Sequence, residues 1–317
     1  MWKYITQRIL LMFMTLFIIT AMCFVLIRML PLPPLPAGDT HAEIVVLQRE
    51  AAGYNKPIPV QFGIFLKNIF TKFDWGVSDK LYIGRDVAAT FLEKLPATMI
   101  VNLYSIIFSI PIGILLGIFA ALKKNTWIDH TISTLTMVVI SVPSFVYAFI
   151  IQYIFYYKLS LLPALMNSGK DYFTWSMFKS MLPAIMSLSF GVIAGFTRTT
   201  RAELTEVLTS EFMLLARTKG LTKTQATIRH AMKNCMVVVL PSIFGEFISI
   251  LSGSLIIEKI FSVPGIGSLY LNSINAPDYP TFMMLTVFYT TIGLVAGIVV
   301  DISYSFIDPR IRMGSKK

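Results

Sequence analysis

Six apolar stretches, most of them long enough to cross a bilayer, constrain this chain more than any other feature. They cover residues 9–30, 96–122, 131–157, 181–196, 236–257 and 281–307. About 20 apolar residues in helical form span a hydrocarbon core. Inside lipid each backbone polar group must be satisfied within the protein, so such stretches are read as helices. The mean hydropathy is +0.70. Only 14% of the 317 residues are charged. A soluble domain is excluded, and the fold class predicted is an all-α polytopic membrane protein with six transmembrane helices.

The segments divide the chain into residues 1–30 (N-terminus and first span), a polar insert at 31–95, a five-helix core at 96–307 with a polar loop at 198–235, and a tail at 308–317. The first span follows Lys3 and Arg8 and lacks a small-residue cleavage site close behind it, so it reads as a retained signal-anchor. Arg28, at its far end, is expected to snorkel to the interface. In the insert, residues 42–52 and 60–72 are expected to form surface helices. Pro111 should kink the second span, and Pro143 lies near the middle of the third. The fourth span is short, ending before Arg198. Glycine pairs at Gly113/Gly117, Gly191/Gly195 and Gly293/Gly297 suit close helix packing and point to no activity.

Charge sets the orientation. With an even number of spans both termini share one face. That face carries fifteen Lys and Arg against five Asp and Glu, whereas the other carries twelve against ten. The net charge of +10 is therefore almost wholly on one side. By the positive-inside rule that side is cytoplasmic. The excess favours anionic lipid headgroups, and nucleic acid need not be invoked.

The longest cytoplasmic stretch is also strongly patterned. A helix-forming run from Glu211 ends at Gly220, a residue suited to a left-handed helix terminus, with Arg217 and Lys219 in the last turn. Thr222 and Gln225 have capping-box spacing for a second short helix reaching Asn234. Thr224, Ile228, Ala231, Met232 and Cys235 fall on one side of it. Lys223, Ala226, Thr227, His230, Lys233 and Asn234 fall nearer the other. Glu211 falls by spacing within an apolar stripe of Leu204, Val207, Leu208, Leu214 and Leu215, where a carboxylate wants a cationic partner. Such a segment suits docking on a partner; an ordinary basic loop with a surface helix is the plainer alternative.

The chain carries no recognisable enzyme signature. The chain has no G-x-x-x-x-G-K-[ST] and no H-E-x-x-H. His41, His130 and His230 lie in different segments, so no metal site is expected, and Cys23 and Cys235 suggest neither a disulfide nor a metal. Ionisable residues in or beside spans are candidates for a translocation path, because inserting a charge there is costly. These are Arg198, Glu246 and Asp301; structural pairing between helices is the competing account.

The run Ala216-Arg217-Thr218-Lys219-Gly220-Leu221, followed by Arg229-His230-Ala231-Met232-Lys233-Asn234, resembles the cytoplasmic loop of binding-protein-dependent permeases of ABC importers. The similarity is greatest to the first-permease, oligopeptide/dipeptide branch of the peptide and nickel group. Ile257-Glu258 through Phe261, Pro264, Gly265 and Gly267, then Asp278-Tyr279-Pro280, Asp301 and the tail around Asp308-Pro309-Arg310, resemble the same branch. The likeness covers nearly the whole chain.

The resemblance implies a type I importer fold with a coupling helix, and a non-catalytic chain without a cofactor of its own. It implies a second homologous permease, two ABC ATPase subunits that bind ATP and Mg²⁺, an extracytoplasmic binding protein and a peptide substrate. It places the protein in a bacterial cytoplasmic membrane. Glu211, Ala216, Arg217, Gly220, Thr222, Gln225, Arg229, His230 and Asn234 would form the ATPase-coupling segment, and Glu258, Pro264, Gly265 and Gly267 an outer-loop motif. The family's Glu-Ala-Ala is Leu214-Leu215-Ala216 here, with Glu211 one turn earlier, so the acid that meets the ATPase is left open. Nickel or another small solute is an alternative cargo. An ion-gradient transporter or a purely structural subunit are alternative classes, although no convincing inverted repeat is visible.

Overall fold

The computed structural model describes residues 2–32, 34 and 42–307. His41 and the tail motif at 308–317 lie outside the described residues. The described chain is helical, and its only bridge of strand type pairs Val77 with Asp86. Five helices are long and apolar enough to cross a membrane: α1 (Trp2–Arg28), α4 (Val87–Leu122), α7 (Trp175–Leu208), the run entering α10 (Met232–Ser249) and α13 (Tyr279–Ile307). A bent helix pair makes a sixth crossing if it is counted as one span. Helices α5 (Trp127–Ser141) and α6 (Ser144–Ile151), the latter extended by a π-helical turn to Lys158, meet at 101°. Pro143 causes the break. It lacks an N–H, and it drives Val142 into extended backbone at φ −97° and ψ 127°. Pro111, by contrast, sits inside a continuous α4.

Three helix limits differ from those of the apolar runs. Helix α4 begins at Val87, ahead of the second run. The helix that carries the fourth run is longer than the run: α7 covers 34 residues, straight through Arg198 and Arg201. Its hydrogen bonds are local, so the helix outlasts the apolar run that revealed it. The fifth helix stops at Ser249 rather than 257, before a turn in which Gly253 takes φ +61°.

By its packing the chain forms two units. One comprises residues 1–99 and 251–295, the other 100–250 and 296–317.

In the first unit the insert folds as α2 (Ala42–Ala51) and α3 (Ile58–Lys72), close to the expected limits. Phe62 and Phe65 of α3 pack on Phe24 of α1, with ring centroids 5.2 and 5.1 Å away. Arg28 does not simply snorkel outward; its guanidinium lies 3.6 Å over the Tyr54 ring. Asp79, buried, pairs with Arg49 at 3.0 Å. Asp278, also buried, caps α13 through Thr281 N–H at 3.3 Å. It also accepts from Leu81 N–H at 2.9 Å and from the Ser78 hydroxyl. These bonds tie the insert to α13 within the unit.

In the second unit α7 is the hub against which α4, α5, α6 and α10 pack. Of the three glycine pairs, Gly113/Gly117 is used here. A Cβ on Gly117 would lie 2.6 Å from Thr200 Cβ and 2.8 Å from Thr197 O. At Gly191, Gly195, Gly293 and Gly297 a Cβ would meet nothing within 4 Å. Along α1, Leu10, Phe13, Met22 and Leu26 are exposed, as residues meant for lipid or another subunit would be.

Candidate functional site

The patterned segment begins where α7 stops at Leu208. Ser210 leads into α8 (Glu211–Thr218), so Glu211 stands exposed in a first turn, where a negative charge is favoured by the helix dipole. The chain break undoes the stripe on which Glu211 was expected to lie. Helix α8 buries Met213 and Ala216 and turns Leu214 and Leu215 outward, 65% and 56% exposed. It ends as its sequence predicts. Gly220 takes φ +89°, and Leu221 N–H reaches back to Ala216 O at 3.4 Å.

The capping box closes as its spacing predicts. Gln225 N–H donates to Thr222 Oγ1 at 3.2 Å, and Thr222 N–H donates to Gln225 Oε1 at 3.1 Å. The helix that follows is not separate. Helix α9 (Lys223–Ala226), a π-helical turn (Thr227–Ala231) and α10 run on as one 26-residue helix, Thr224–Ser249. The π turn also alters the expected faces. Ala226 and Thr227 join Ala231 and Cys235 on the buried side, while Thr224 faces out and Ile228 is 65% exposed. A π turn holds more residues than an α turn, so the register of the faces slips there.

Arg217, Arg229, His230 and Asn234 are exposed, though the Asn234 amide is spent on His230 O at 2.9 Å. Beneath this surface Met213, Ala216, Ala226, Ala231 and Cys235 share one core with Leu204 of α7 and Ala121 of α4. The segment is thus an outcrop packed on the core of the second unit, with apolar and basic residues presented outward.

The outer-loop motif is built in the opposite sense. Glu258 of α11 (Leu255–Ile260) is 2% exposed. Its carboxylate accepts from Thr98 Oγ1 at 2.8 Å, Gly267 N–H at 2.8 Å and Ser268 N–H at 3.1 Å, the latter two at the start of α12 (Ile266–Asn275). Ile266 N–H donates to Thr98 Oγ1 at 2.9 Å. The glycines make room. A Cβ on Gly265 would lie 2.4 Å from Glu258 Oε2 and 2.3 Å from Thr98 Oγ1. Burial raises the Glu258 pKa to about 7 against the lowering effect of these donors. The motif is a closed internal lock, and Pro264 is half-buried in its turn.

The three path candidates do not converge. Glu246 lines a groove of about 370 Å³ with Gly191, Gly195, Thr199 and Ser242. Arg198 is exposed and Asp301 half-buried, and neither lines that groove. Among the described residues no cluster of His, Cys, Asp or Glu has metal-site geometry.

Sequence reasoning missed two partners. Thr98 is an unmarked threonine in an apolar helix. Asp129 lies between two apolar runs with no motif around it, yet it is buried and bound by Arg201, 72 residues away. No local pattern signals either contact.

Residues 113–313 match the family described as binding-protein-dependent transport system inner membrane component, and residues 1–101 match the N-terminal family of the same systems. The dipeptide transport system permease protein DppB of Lactococcus lactis subsp. cremoris is 34% identical over 311 residues, covering 98% of this chain and 99% of that one. DppB of Bacillus subtilis is 33% identical, covering 99% of each chain. The oligopeptide transport system permease protein OppB of Haemophilus influenzae is 31% identical, covering 98% of this chain and all of that one. A solved amino acid ABC transporter chain overlays with a TM-score of 0.49 at 20% identity, covering 69% of this chain and 94% of that one.

Proposed function

This chain belongs to the binding-protein-dependent transport system inner membrane components, and from that premise we propose that it is a permease subunit of an ATP-driven importer of peptides. The observation that carries the coupling role is the α8–α9 outcrop. It is held by a closed capping box, backed by the core of the second unit, and faced with exposed Phe212, Leu214, Leu215 and Ile228 beside Arg217 and Arg229. Apolar area flanked by basic charge suits a cleft on an ATPase subunit. Glu211 stands at the edge of this surface and is the acid placed to meet that subunit.

ATP and Mg²⁺ bind on two such partner subunits; this chain is non-catalytic. A second homologous permease completes the path, and an extracytoplasmic binding protein delivers the peptide to the face that carries the insert. The protein lies in the bacterial cytoplasmic membrane with both termini and the outcrop cytoplasmic, a reading that the distribution of Lys and Arg supports. Closure of the ATPase pair moves the outcrop, and with it the second unit, between inward-open and outward-open states. Glu246, in its groove, is the candidate contact along the path, with Arg198 and Asp301 nearer the inner end.

The test is uptake of labelled di-, tri- and pentapeptides into proteoliposomes holding the assembled importer and its binding protein. Accumulation should require ATP and survive collapse of ion gradients. In Gly220→Pro, ATP hydrolysis should persist while uptake is lost. Uptake driven by an ion gradient without ATP would overturn the reading.

A further inference from the structure

Asp129 lies in the first turn of α5 and is a buried carboxylate that the reading above leaves unused. It is 0% exposed. Its carboxylate takes Nε and Nη2 of Arg201, the latter at 2.9 Å, together with Asn125 N–H at 3.0 Å and Ser133 Oγ at 3.3 Å. Arg201 belongs to α7, one turn before Leu204. At this level α4 and α7 touch almost backbone to backbone, since a Cβ on Gly117 would lie 3.1 Å from Arg201 N. Leu204 in turn shares the core that backs the α8–α9 outcrop. Arg201 is therefore part of the body that the outcrop moves.

The broken span is held to α7 at its other half differently. There Tyr147 of α6 packs on Phe190 of α7, ring centroids 5.3 Å apart. Aromatic faces tolerate sliding. A bidentate guanidinium–carboxylate pair is directional and resists it. Asp129 is enclosed while Arg201 is about one-third exposed, and such a pair adds little net stability, so what it supplies best is a defined geometry.

We propose that the Asp129–Arg201 pair is a positioning clamp for transport: it fixes the start of α5 to α7, so that displacement of the α8–α9 outcrop is carried into the bent α5–α6 span instead of being lost as slip between helices. The inference rests on the coupling role given to the outcrop. The clamp residues touch neither nucleotide nor peptide; they act through the helices they join.

The experiment compares peptide uptake per ATP hydrolysed in the reconstituted importer for three variants. Arg201→Lys keeps the charge and loses the fork. Asp129→Asn removes the acceptor charge. Asp129→Asn/Arg201→Gln removes both charges and so relieves the unpaired one. In Arg201→Lys, assembly and ATP hydrolysis should be retained while uptake per ATP falls severalfold. The double variant should regain the melting temperature lost in Asp129→Asn without regaining uptake per ATP.

Normal uptake per ATP in Arg201→Lys overturns the clamp. So does recovery of uptake together with stability in the double variant, and so does failure of all three variants to assemble, since each outcome makes the pair a folding element only. Leu214→Ser/Leu215→Ser, run in parallel, separates the two claims. If it hydrolyses ATP and takes up peptide normally, the outcrop reading has failed. If it is uncoupled while Arg201→Lys is normal, only the clamp has failed.

Discussion

The Glu258 loop and the α8–α9 outcrop are both polar motifs in an apolar chain, and they solve opposite problems. Glu258 faces inward, and each of its carboxylate oxygens accepts hydrogen bonds from the protein's own groups. The outcrop settles its backbone through the capping box and then leaves Leu214, Leu215 and Ile228 to the outside. A polar motif whose donors and acceptors are used up internally is a lock. One whose backbone is satisfied while apolar side chains stay uncovered is a handle for another molecule.

The glycines repeat the contrast. Gly265 has extended backbone, φ −98° and ψ −179°, and is needed because no space exists for a Cβ. Gly220 has open space around it and is needed for its φ of +89°.

The largest expected effect is on the lock. Glu258→Leu removes the acceptor of the Gly267 and Ser268 N–H groups, at about 1–3 kcal/mol for each group left buried without one. Gly265→Ala overpacks the same site and should cost about 1–3 kcal/mol. Thermal melting of the purified protein in detergent reads both, and wild-type stability in either would dissolve the contrast.

A change in pH should sharpen it. The folded pKa of Glu258, about 7, exceeds the reference value of 4.5. The folded state therefore holds this proton more tightly than the unfolded chain, and the contribution to stability is full below pH 4.5 and lost as pH rises through about 7. Melting temperature should fall across that interval in the wild type, and Glu258→Gln should flatten this part of the slope.

The smallest effects on stability belong to the handle. Gly220→Ala should cost about 1 kcal/mol from backbone strain alone. Leu214→Ser/Leu215→Ser should leave stability within about 0.5 kcal/mol, as exposed sites do. The double serine variant should nonetheless lose co-purification with ATPase subunits. Large destabilisation by the surface serines would show that the face is packed and not presented.

Much of the outcrop was legible beforehand because its signals are local. The glycine terminus and the Thr222–Gln225 box depend on neighbours within one turn, and both formed. What failed was register. The helix break at Thr209 and Ser210 and the π turn at 227–231 reassigned the buried faces, putting Ala226 inside and Ile228 outside. A small slip in a helix rotates every later side chain, and no propensity in the intervening residues announced it. In the outer loop the motif residues were visible, but their meaning was not. In sequence Glu258 is one residue of a loop motif, and its enclosure follows only when Thr98 is brought to it.

By itself the sequence determined the helical class, the long apolar helices and the two helices of the insert. Each follows from composition over a window or from chemistry within a turn. Only the tertiary structure decided that Glu258 is enclosed, that Asp129 grips Arg201, that one glycine pair of three is packed within the chain, and that Pro143 breaks its span through 101° while α4 runs on through Pro111. Those outcomes depend on which surfaces meet across many intervening residues. Long-range contact is settled by shape and by the satisfaction of buried polar groups, and neither is written in any one stretch of chain.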